Sequence, residues 1–124
     1  MTERSIPSSG WLSLPEVADA LQVRLRDVRG MLTERRLIAL RRGENRAWSV
    51  PGEFLVDDDV GAGGSTVLST LRGTAMQLGD AGFDDEEIVA WLFDHNDELE
   101  ERPIDALRQG RTHAVRRAAQ PLAF

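Results

Sequence analysis

Between Ser13 and Val50, apolar residues fall at Val17, Ala18, Leu21, Val23, Val28 and Met31. That spacing lets two short helices cross steeply and bury one shared seam, with Ala18 at the crossing. The first helix, over 14–21, carries its own start signal. Ser13 can accept from the N–H three residues on, Glu16 can reach back, and Pro15 sits in the first turn, where its missing donor costs nothing. The second helix, over about 25–34, turns Arg26, Asp27, Arg29 and Gly30 away from the seam. Strand-like runs at 37–42 and 47–50 then flank Gly43, Glu44, Asn45 and Arg46, whose Gly and Asn supply the turn of a hairpin, a wing over 40–48. Trp11 and Leu12 are expected to pack under the first helix.

Residues 51–56 return the chain to the core. The next stretch, 57–64, has three aspartates followed by Val60 and a Gly/Ala run, and reads as a solvated linker. Ser65 then reads as the cap of a helix to about Leu78, with Val67, Leu68, Leu71, Ala75 and Leu78 on one face and Gly79 as its stop. Asp84 and Glu87 form a capping box for a second helix carrying Ile88, Trp91 and Leu92. Pro103 opens a third helix that Gly110 ends, and a fourth runs over 112–120 through Val115 and Ala119. The expected fold is mainly α with a small β-hairpin: a winged helix-turn-helix over 11–56, then a C-terminal helical bundle over 65–124. Residues 1–10 read as a flexible arm whose hydroxyls, Thr2, Ser5, Ser8 and Ser9, are solvated.

Charge changes this picture more than composition does. The 124-residue chain has a formal net charge of −6, yet residues 24–46 hold eight arginines against Asp27, Glu34 and Glu44, a local +5. A domain that touches phosphates needs positive charge on one face only. The candidate contacts to double-stranded DNA are therefore Arg24, Arg26, Arg29, Arg36, Arg41, Arg42 and Arg46. Residues 80–105 hold eleven acids against Arg102 alone, whereas 106–124 hold four arginines and no acid, so these two segments are expected to pack together. The acidic one should point away from any duplex.

There is no cysteine, no apolar run long enough to span a bilayer, and no apolar signal segment at the start. A cytoplasmic protein without membrane contact is the expectation. Asp94 to Glu98 invites a calcium reading, but Leu99 stands where such a loop needs Gly. His95 and His113 lack a second histidine at ligand spacing, so no metal and no cofactor are expected. The chain shows no nucleophile motif, phosphate loop or dinucleotide fingerprint, and an enzyme is not expected.

Residues 11–55 resemble the winged helix-turn-helix of MerR-like and excisionase-like DNA-binding proteins. As a whole, the chain resembles a small actinobacterial winged-helix family ending in a helical domain. The resemblance implies a bacterial transcriptional regulator with its recognition helix in the major groove and its wing on phosphate or minor groove. Gln22 and Arg35 stand where such proteins usually have Gly, and Gln22 is expected in a turn that is not left-handed. Further on, Trp91-Leu92-Phe93, Asn96, Leu99, Arg102-Pro103-Ile104-Asp105, Leu107, Gly110-Arg111 and Val115-Arg116-Arg117 resemble the C-terminal region of Xre/MbcA/ParS-type antitoxins. In place of that family's small residues before Arg-Pro stand Glu100 and Glu101. This second resemblance implies a partner or self-association surface at Trp91, Phe93, Arg102, Pro103 and Ile104. The alternative function is thus an antitoxin-like interaction module whose C-terminal helices bind a protein.

Overall fold

In a computed structural model, which describes residues 10–57 and 65–122, the chain begins its first helix at the expected cap. Glu16 N–H donates to Ser13 Oγ at 3.2 Å and Ser13 N–H donates to Glu16 Oε1 at 2.7 Å. These bonds satisfy two orphan donors at the start of α1 (Leu14–Leu21). Helix α2 (Leu25–Thr33) packs against it, with Val17, Ala18 and Val28 buried at the seam and Leu21, Val23 and Met31 half-buried. Fully burying each aliphatic side chain stabilises the fold by roughly 1.5–3 kcal/mol.

The wing is larger than a hairpin. β1 (Trp11–Ser13), β2 (Leu40–Arg42) and β3 (Ala47–Pro51) form an antiparallel sheet of order β1-β3-β2, with Leu12 opposite Val50 and Arg41 opposite Trp48. Trp11 and Leu12 are half-buried in a strand, β1, that contacts α1. The pairing covers one edge of β3 that a lone hairpin would leave open.

A 3₁₀ turn (Gly52–Phe54) follows, burying Phe54 and Glu53. It leads into β4 (Leu55–Asp57), which pairs antiparallel with β5 (Ser65–Val67). Ser65 therefore does not cap a helix. Thr66 and Val67 are β-branched and suit a strand once β4 is there to pair with, and β5 lies beside α1. The winged unit consequently runs to Ser69 and the helical unit begins at Thr70, not at 65. The arm over 1–9 and most of the expected linker, 58–64, lie outside the described residues.

The helical unit holds α3 (Leu71–Asp80), α4 (Asp85–Phe93), α5 (Pro103–Arg108) and α6 (Thr112–Ala119). Helix α3 contacts α4 and α6, and α5 contacts the same two, so the four enclose one core. Leu71, Ala75, Leu78, Ile88, Leu92, Ile104, Leu107 and Val115 fill it. Gly82, rather than Gly79, ends α3. With φ +101° it lets Phe83 N–H reach the Leu78 carbonyl at 3.0 Å while Gly82 N–H reaches that of Gly79, a Schellman closure. The Asp84–Glu87 capping box forms as expected, at 2.8 and 2.9 Å.

Candidate nucleic-acid interface

No hydroxyl caps α2. Arg24 N–H donates instead to Asp27 Oδ2 at 3.0 Å, and the same carboxylate lies 3.6 Å from the Arg24 guanidinium. Asp27 is half-buried and acts at the helix start, while Arg26 and Arg29 are exposed on α2. Among the described residues, no carboxylate pairs with Arg26 or Arg29. Arg36 is held by Glu34 at 3.0 Å.

Both helices end in the same device without glycine. Gln22 adopts φ 59°, ψ 44°, and Val23 N–H bonds the Ala18 carbonyl at 3.0 Å. Arg35 adopts φ 64°, and Arg36 N–H bonds the Met31 carbonyl at 2.9 Å. Each is a Schellman closure with a side chain in the left-handed region, which costs roughly 1–2 kcal/mol apiece. The expectation that Gln22 avoids that region is wrong. Closing the turn between α1 and α2 requires a left-handed residue there, whatever its side chain.

Consecutive residues on β2 point to opposite faces of the sheet. Arg41 lies over the Trp48 ring at 4.5 Å and donates from Nη1 to the Arg46 carbonyl at 3.4 Å. Arg42 lies over the Trp11 ring at 4.3 Å. These two guanidinium groups are thus held by cation–π attraction rather than by an acid. The turn itself is closed by Arg46 N–H on the Gly43 carbonyl at 3.2 Å and by Ala47 N–H on Asn45 Oδ1 at 3.3 Å. Arg46 is exposed at the tip. The tryptophans were not among the expected site residues. The signal for them was the register, which sets Trp48 directly across from an arginine.

Residues 5–55 match the profile described as DNA-binding protein Rv2175c, wHTH domain, and residues 68–123 match the Rv2175c C-terminal domain of unknown function. The relative named DNA-binding protein Rv2175c, from Mycobacterium tuberculosis (strain ATCC 25618 / H37Rv), is 30% identical over 130 residues, covering 95% of this chain and 84% of that one. The chain belongs to the Rv2175c family. A solved NMR structure of Rv2175c superposes with a TM-score of 0.78 at 29% identity, over 99% of this chain and 87% of that one. The antitoxin likeness of the helical half is not confirmed by these matches.

In this Rv2175c-family fold, the residues expected to face a partner mostly face inward. Phe93, Pro103 and Ile104 are buried in the helical core, where α5, opened by Pro103, packs against α4 and α6. Arg102 donates two 2.8 Å bonds to Asp105 and lies 5.5 Å from the Phe93 ring centroid. Those bonds, together with the guanidinium charge, hold the Asp105 carboxyl below its usual value, against burial, which pushes it up. Glu101 accepts from Arg111 and from Gln109, which ties the acidic segment to the basic one. Asn96 Oδ1 accepts from Glu98 and Leu99 N–H, shaping the turn after α4. Trp91 is half-buried and lines an open cavity of about 500 Å³ with Phe83, Glu87 and Asp94. Among the described residues, no three potential metal ligands cluster, and no helix is long and apolar enough to cross a membrane.

Proposed function

We propose that the chain is a bacterial transcriptional regulator that binds duplex DNA, placing α2 in the major groove and the wing on the backbone or minor groove. One observation carries this reading: Arg26 and Arg29 stand exposed on the second helix of a winged helix-turn-helix, and among the described residues no carboxylate pairs with either. A guanidinium in that setting is free to pair with a guanine edge. The relative whose name describes a DNA-binding protein supports the same reading. The chain acts by binding, not catalysis. The carboxylates of the helical half repel phosphate, so that half serves its own core and contact with protein.

Two substitutions test the division of labour between helix and wing. Arg29→Ala should cost about 1–3 kcal/mol on a preferred duplex and flatten the preference among sequences. Arg46→Ala should weaken preferred and scrambled duplexes alike. Fluorescence anisotropy with both duplexes decides, and a uniform loss from Arg29→Ala with a selective one from Arg46→Ala would reverse the assignment.

A further inference from the structure

On β3, Val50 is fully buried, and the next residue on the same face toward the wing tip, Trp48, is 44% exposed. The strand has left the core there and carries a large ring into solvent. Arg41 covers part of that ring, and its bond to the Arg46 carbonyl fixes the guanidinium in place. Arg46 is exposed nearby at the tip of the same hairpin, whereas Arg42 lies on the opposite face over Trp11, and no described carboxylate pairs with Arg41 or Arg46. Trp11, the other ring on the wing, is half-buried in β1 and offers less surface.

A π-surface beside Arg41 and Arg46, neither of them neutralised by a described carboxylate, is the chemistry of a stacking platform: the exposed part of the ring receives any base, and the cations hold the adjoining phosphates. In a fully paired duplex, base faces are hidden in the stack. They become available where a base is extrahelical. The geometry points to Trp48, braced by Arg41, as a site for an unpaired base, so that the chain prefers a duplex carrying a single-base bulge over the same duplex fully paired. This inference deepens the DNA-binding reading and rests on it.

Anisotropy titration of the full chain against two labelled duplexes, identical except for one extrahelical thymidine, tests it. The wild-type chain should bind the bulged duplex about tenfold more tightly, the scale of one base stacked on an aromatic ring. Trp48→Ala should bring the ratio near one, and Trp48→Phe, which keeps a π-face, should retain most of it. Equal wild-type affinity for the two duplexes, or a ratio that survives Trp48→Ala, overturns the site while duplex binding stands. A chain that binds neither duplex overturns the DNA-binding reading itself.

Discussion

Raising monovalent salt fourfold, from about 50 to about 200 mM, should weaken duplex binding about 500-fold. The magnitude follows from which arginines are already neutralised. Arg24 sits 3.6 Å from Asp27, which also holds the Arg24 backbone N–H, and Arg36 sits 3.0 Å from Glu34. A phosphate arriving at either meets a carboxylate in residence. Arg26, Arg29, Arg41, Arg42 and Arg46 have no such acid among the described residues, and the tryptophan rings that hold Arg41 and Arg42 leave their charge intact. Five such cations brought into the duplex's phosphate field, at base edges from α2 and at the backbone from the wing, each displacing about 0.9 of a counterion, give log K against log salt a slope of about −4.5. Arg46→Ala should reduce that slope to about −3.6, whereas Arg24→Ala should leave it nearly unchanged. The assay is anisotropy of a labelled duplex at four or more salt concentrations for each variant. A wild-type slope shallower than about −2, or an Arg24→Ala change as large as that of Arg46→Ala, would refute the assignment of free and neutralised cations.

Replacing Gln22 by Gly should stabilise the winged unit by about 1 kcal/mol, because the backbone is already left-handed and the side chain is exposed; urea unfolding measures it, and no gain would mean the turn is not strained. Asp105, whose folded carboxyl titrates below its unfolded value, adds stability that is present above about pH 4 and lost as pH falls through the lower folded value. Asp105→Asn should therefore lower stability at neutral pH and remove part of the acid-side slope in thermal melts taken between about pH 5 and pH 2.

What the sequence determined by itself was whatever closes within a few residues. The capping boxes at Ser13–Glu16 and Asp84–Glu87 form because both partners lie three positions apart on one turn. The wing turn at Gly43 forms for the same kind of reason, and the charge of the 24–46 segment follows from counting. Tertiary structure decided the rest. β1 exists because Trp11 meets Pro51 across the sheet, and β5 exists because Val67 meets Leu55. Ser65-Thr66-Val67 alone reads equally well as a helix start, since its strand bonds belong to a partner outside the local window. Burial of Phe93, Pro103 and Ile104 likewise depends on four helices closing together, which no local pattern records. The Arg–Trp stacks on the wing depend on register, where a slip of one residue would send every side chain of the strand to the opposite face.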